Sequence, residues 1–359
     1  MIEVLLKISI LVWPFGQLLS YRLGQSNYPI YLLDLLSILL TIFLLIGEKS
    51  RKQISKDPIS PYLLGFMVIC GLSLAVNIFS FNLFNILKAS FYLLRVITYP
   101  SFYYAVKLVD WKNIKSSVTA SVIIFLFLGL IQYVIFPDTR SLKYAGFDDH
   151  YFRLIGTFFD PNYTGAMLGA LGLYFLSTGG YLTAVIILPL LALTYSRASY
   201  LSYFLGVIWI SIEKKIKYLI LLLLLIPLSV FFSPRPYGEG VNLFRTFSIF
   251  SRFDSWLIGI KLFSERPLLG WGFNTLTNLN GQRIGIDNSY LFILATTGII
   301  GLIAFLWLLY KSLRPVWKTY FFLPLITLLF HSLFNNSFFF IWINSAFWLM
   351  LGLAYKSKE

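Results

Sequence analysis

The sequence predicts an all-α polytopic integral membrane protein of about twelve transmembrane helices, and three observations carry that reading. Of 359 residues, 58% are hydrophobic and 12% charged, whereas a soluble domain has about 45–50% and about 25%. The mean hydropathy of +0.77 is more than one soluble core could hide. Apolar runs close to the roughly 20 residues that a spanning helix needs recur along the whole chain. A soluble enzyme, a disulfide scaffold and a disordered chain are excluded. Cys70 is the single cysteine and lies inside an apolar run, and His150 and His331 each stand alone in the sequence.

In chain order the predicted spans are 4–20, 28–47, 61–79, 84–106, 116–137, 162–177, 180–195, 198–212, 218–233, 288–310, 319–333 and 337–355. Tight turns at Gly179–Gly180 and Ser196–Arg197 separate short neighbouring spans. The first run lacks a charged leader and a small-residue cleavage site, so it reads as a retained anchor. The chain 1–359 is thus one transmembrane domain. Its one large outer loop, 234–286, is too long to be a mere connector.

Net charge is +14, and its placement favours lipid over nucleic acid as the partner. With a cytoplasmic N-terminus, fifteen basic residues fall on the inner side, thirteen of them lysine, including Lys49, Lys107, Lys115, Lys214, Lys311 and Lys356. Eleven fall on the outer side, nine of them arginine: Arg22, Arg140, Arg153, Arg197, Arg235, Arg245, Arg252, Arg266 and Arg283. Both termini are therefore expected inside. The split by type matters further, because lysine is a compact hydrated charge and arginine a planar fork that grips phosphate oxygens. The outer face reads as built to hold phosphate.

The large loop begins SPRPYGEG, an irregular start. It continues SRFDSWLIGIKLFSERPLLGWGF, in which Phe253, Trp256, Leu257, Ile260 and Phe263 recur at helical spacing. This amphipathic helix is expected on the outer leaflet. Ser251 with Asp254 reads as a variant capping box, which would put Arg252 in the first turn beside unpaired backbone N–H groups. Ser196–Arg197 repeats the device at the same surface. Arg266 precedes Pro267, where the helix should stop.

The strings TYSRASYLS at 194–202, SRFDSW with ERPLLGWG at 251–272, DNSYL with GIIG at 287–301 and, upstream, RLIGTFFDPN at 153–162 resemble the O-antigen ligase and O-antigen polymerase superfamily. The resemblance implies an enzyme of the bacterial cytoplasmic membrane that joins glycans carried on a polyprenyl diphosphate to an acceptor on the outer face. It implies that Arg197 and Arg252 face the diphosphate, and a chain-length regulator and a flippase as partners beside membrane lipid. In the ligase pattern a His-Asn pair precedes Gly-x-x-Gly by nine residues. Here Asn288, Gly298 and Gly301 keep that spacing while Asp287 stands in the histidine position, which favours a polymerase over a ligase.

The chemistry expected is an inverting transfer that needs neither metal nor cofactor. Arg197 and Arg252 clamp the donor diphosphate and offset the charge that grows on it, and Arg153 and Arg266 extend the clamp. Asp287 accepts the acceptor's proton or orients its hydroxyl, or alternatively caps the helix that follows; nearby arginines are expected to depress its pKa. Asp148–Asp149–His150 reads as a solvated acidic patch. Lys88 and Arg95, two helical turns apart, either neutralise substrate or pair with an acid. Tyr290 and Trp271 are placed to stack on sugar rings. The rival class is a transporter of the same lipid-linked sugar, which should show repeated halves; none is evident.

Overall fold

The structure, a computed structural model, describes residues 1–22, 29–234, 239–277 and 284–358. Arg235 and Arg283 of the outer set, and half of the predicted irregular start at SPRPYGEG (235–238), lie outside the described residues.

Among the described residues every predicted apolar stretch is largely helical, but the helices are more divided than a hydropathy reading suggests. They are α1 (Ile2–Val12), α2 (Leu32–Ile46), α3 (Glu48–Lys56), α4 (Ser60–Val76), α5 (Leu83–Thr98), α6 (Ser101–Leu108), α7 (Trp111–Ile135), α8 (Pro161–Thr178), α9 (Tyr181–Leu193), α10 (Arg197–Glu213), α11 (Leu225–Phe232), α12 (Phe247–Glu265), α13 (Ser289–Leu313), α14 (Phe322–His331) and α15 (Ile341–Lys356). The predicted span 84–106 breaks at Tyr99–Pro100, because proline has no N–H to continue the ladder. A small antiparallel pair, Ser20–Arg22 against Pro29–Tyr31, follows the first helix. Among the described residues three helical stretches, Ile2–Leu19, Trp111–Ile135 and Ser289–Val316, are long and apolar enough to cross a bilayer. A fourth is added if α3 and α4, bent 89° apart, count as one. The fold is all-helical as predicted, with shorter helices making up most of the twelve stretches.

One buried apolar core runs from Leu5 in α1 to Ala354 in α15. Two sets of polar contacts mark its ends. At one end Lys356 donates to the carbonyls of Val106 and Val109, Lys214 to that of Ser177, Lys107 to Asp57, and Asn113 to Glu3. At the other, Arg153, Arg197, Arg245 and Arg252 all bond loop or helix-end carbonyls. The first group joins positions predicted to be inner, the second positions predicted to be outer.

Helix α13 is broken at Gly298 (φ 68°, ψ −169°), and the chain after α12 fills the gap. Trp271 N donates to the Ala295 carbonyl at 3.1 Å, Gly272 N to Thr296 at 2.9 Å, and Ile299 N to Pro267 at 2.8 Å. Ser73 Oγ of α4 closes the joint, 2.7 Å from both the Leu269 and Thr296 carbonyls. The break thus leaves its freed backbone groups paired, as a buried segment requires. A side chain at Gly298 would put Cβ 2.1 Å from the Leu268 carbonyl, and one at Gly270 would put it 2.4 Å from Thr296. The first glycine of GWG and the first of GIIG are therefore explained by close backbone approach.

Candidate functional site

The start of α8 and the start of α10 are tied together by their own caps. Asp160 accepts from the N–H groups of Asn162 and Tyr163 to begin α8, with Pro161 in the first helical position. Ser196 caps α10 and also donates to Asn162 Oδ1, while Ser199 donates to the Asn162 carbonyl. Tyr195, just ahead of that cap, sits at φ 51°. The carbonyls of Thr194 and Tyr195 face two arginines: Arg153 Nε donates to Thr194 O at 2.9 Å, and Arg245 Nη2 to Tyr195 O at 2.9 Å.

Arg197 occupies the first position of α10 and reaches across to the large loop, where it donates to the Leu243 carbonyl at 3.2 Å and to Ser248 Oγ at 2.8 Å. Ser248 lies one turn before Arg252 on α12, so the two predicted clamp residues meet the same stretch of one helix. Arg252 donates through Nε to the Phe334 carbonyl at 2.9 Å and through Nη2 toward Asn335 Oδ1 at 3.4 Å. Asn335 in turn approaches buried His331, whose Nδ1 is 2.7 Å from Ser337 Oγ. The turn HSLFNNS at 331–337 also docks the start of α13: Ser289 N donates to Ser332 O at 2.8 Å and Ser289 Oγ to Asn336 at 3.0 Å.

Asp287 is held by its backbone. Its N–H donates to Ser255 Oγ and its carbonyl accepts from Trp256 Nε1, both on α12. The cap of α13 is Asn288, which takes the N–H groups of Tyr290 and Leu291. Asp287 therefore does not cap the helix, and among the described residues its carboxylate makes no hydrogen bond. Its pKa is raised, because burial outweighs the pull of Arg252. That corrects the expectation of a depressed value and makes Asp287 a stronger base than the sequence suggested.

The electrostatics join these pieces. Arg252 feels Asp287, Arg197 and Asp160, and burial lowers its pKa. Arg153 feels Arg245, Asp160 and Arg252, and its burial likewise disfavours its charge. Burial raises Asp160 to about 6 despite its two backbone donors. Four guanidinium groups thus stand against Asp160 and Asp287, with exposed Asp148 acting on both acids. His150 is pushed down to about 3 by burial and by Arg153 and Arg245, and its Nε2 has no hydrogen-bond partner among the described residues. A neutral imidazole beside the arginines is more than the isolated residue read from the sequence. Guanidinium groups gathered in this way have the chemistry that suits an anion.

Other predicted residues lie elsewhere or play other parts. The capping box at Ser251–Asp254 does not form: α12 begins at Phe247, placing Arg252 inside the helix. Local pattern was ambiguous there because apolar residues continue upstream of Ser251. Arg266 leaves the cluster, stacking on Trp271 at 3.9 Å and bonding Asn77 of α4. Trp271 is occupied beneath it and donates to Leu262. Tyr290 donates to the Leu329 carbonyl at 2.9 Å, tying α13 to α14. The acid that pairs with Arg95 is Asp34 of α2, gripped by both Nε at 2.9 Å and Nη2 at 2.8 Å, with Tyr99 donating to the same carboxylate. Lys88 is half-buried on the same helix α5. Sequence reasoning missed Arg245, Asp160 and the 331–337 turn as members of the site. The turn was detectable as a polar island, His-Ser and Asn-Asn-Ser, between two apolar stretches.

Residues 182–306 match the family described as O-antigen ligase. The matched segment contains Arg197, Arg245, Arg252, Asp287 and the interlocked glycine motifs, and it bears out the resemblance to the O-antigen ligase and polymerase superfamily. The chain is therefore an all-helical, membrane-type protein whose segment 182–306 is similar to a family associated with glycan transfer of the ligase and polymerase kind. No curated protein matches the chain.

Proposed function

We propose that the protein is a glycan polymerase that transfers a saccharide from a polyprenyl diphosphate donor to the sugar of another lipid-linked repeat unit. The observation that carries this reading is the convergence of Arg153, Arg197, Arg245 and Arg252 around the starts of α8 and α10, with the unbonded carboxylate of Asp287 beside Arg252. The arginines bind the diphosphate and stabilise the charge it gains in leaving. The acceptor hydroxyl attacks the anomeric carbon on the opposite face, the bond from carbon to diphosphate oxygen breaks with its electron pair, and configuration inverts. The hydroxyl proton passes to Asp287, whose raised pKa suits a general base.

The site is placed at the outer surface of the bacterial cytoplasmic membrane, with both termini inside, and the reaction uses no metal or cofactor. A flippase supplying the donor and a regulator of chain length are the expected partners. The family description favours one alternative, ligase-type transfer to a different acceptor. Purified protein incubated with lipid-linked repeat units alone distinguishes the two. A ladder of lengthening products is expected; product formed only after a second acceptor is added would establish a ligase and remove the polymerase reading.

A further inference from the structure

A cavity of about 460 Å³ lies between α1, α7, α8 and α15, and none of the arginines of the cluster lines it. We propose that it holds an acyl chain of one anionic phospholipid from the leaflet facing the lysine-bearing helix ends, with the lipid phosphate against Lys115. The reading is independent of the proposed transferase activity.

The size falls within the ~300–1,000 Å³ of small-ligand pockets. The walls are mainly apolar, formed by residues such as Trp13, Val122, Leu126, Met167 and Leu349, with scattered hydroxyls such as Ser121 and Ser345. Water gains few partners along such walls, and a void would forfeit the dispersion contacts that hydrocarbon restores. In a bilayer the surrounding medium supplies acyl chains, which makes a lipid tail the natural occupant.

The charge at the rim selects the headgroup. Lys115 lines the cavity and is exposed. Lys7, Lys52 and Lys107 are paired with Glu3, Glu48 and Asp57, but Lys115 has no ion pair among the described residues. Trp111, one turn away on α7, also lines the cavity, and an indole suits the boundary between headgroup and tail. An ammonium beside an apolar slot is complementary to an anion that carries an apolar chain. Lysine, a point charge without arginine's fork, needs no fixed headgroup geometry.

The test is native mass spectrometry on the delipidated full-length protein, incubated with vesicles of phosphatidylglycerol or of phosphatidylcholine. One phosphatidylglycerol per chain is expected, preferred about fivefold, the ratio that one lysine near an anionic headgroup provides. Lys115→Gln should abolish the preference, and Val122→Trp, which fills the cavity, should abolish retention. Retention of neither lipid, equal retention of both, a preference that survives Lys115→Gln, or lipid retained unchanged in Val122→Trp would overturn the proposal. So would a polyprenyl lipid carried through purification in this stoichiometry. Lys115 is exposed, so its variant decides the matter even if Val122→Trp does not fold.

Discussion

Arg252 donates through Nε to a backbone carbonyl and, more weakly, through Nη2 to an amide oxygen of the 331–337 turn, which fixes the plane of its guanidinium, and among the described residues no direct ion pair neutralises its charge. Removing it should therefore change the chemical step more than the fold. Arg252→Ala is expected to lower turnover about 10²–10³-fold, the loss typical of one electrostatic donor, while lipid-linked units accumulate in cells. Arg252→Lys should recover only part of that, since it keeps charge without the fork. Normal product length in the alanine variant would remove Arg252 from the clamp. Asp160 makes a different prediction. Its carboxyl titrates near 6 in the fold against 3.8 ordinarily, so between those values the folded state holds more protons than the unfolded one. Its contribution to stability is then complete below about 3.8 and is lost as pH rises through about 6. Asp160→Asn keeps the helix cap and should flatten that part of the profile of melting temperature against pH. An unchanged slope would mean that another group produces it.

At the level of elements, the joint between the segment after α12 and the break in α13 decides how firmly the site is built. Arg252 and Asp287 are set by α12 and by the chain entering α13, and both elements are anchored where Gly270 and Gly298 let backbone meet backbone. Gly298→Ala adds a Cβ 2.1 Å from the Leu268 carbonyl at a φ of +68°, combining backbone strain with overpacking, each of which costs about 1–3 kcal/mol. Loss of a monodisperse folded species in detergent is expected, measured by thermal shift; a variant as stable as the parent would show that the joint yields. Much of this was readable beforehand in part. Helix positions followed from apolar runs, and Ser196 as a cap followed from its place between two of them. The inward break at Gly298 did not, because a glycine inside an apolar stretch looks the same whether the helix is continuous or interrupted. The failure at Ser251 has the same origin: Phe247 and Phe250 extend the helix backwards, and no single local motif outranks an apolar face. In the sequence Arg245 reads only as one outer arginine, because nothing in its neighbourhood announces that Tyr195, fifty residues away, is its partner. The acid paired with Arg95 was equally hidden, since Asp34 comes to it from 61 residues away.

For the whole molecule, the separation of polar contacts into two ends carries a claim about sidedness. If lysines orient the chain and arginines receive substrate, the two groups must lie in different aqueous compartments, and a donor reaching the arginines must be on the side opposite the lysines. Cys70 is the single cysteine and is fully buried, so an introduced thiol reports its own compartment. Ser55, in the basic helix α3, and Tyr144, which is 90% exposed in the loop leading to Arg153, probe the two ends. An impermeant maleimide added to intact cells should label Tyr144→Cys and leave Ser55→Cys unlabelled until the membrane is opened. Labelling of both from outside would deny the bundle its separating role, and the reverse pattern would put the arginines in the cytoplasm. In that orientation the cluster would meet nucleotide phosphates as readily as lipid diphosphates, and loss of Arg252 would leave lipid-linked units on the inner leaflet instead of the outer one. The labelling pattern and the leaflet in which intermediate accumulates must therefore agree, because a single orientation of the chain determines both.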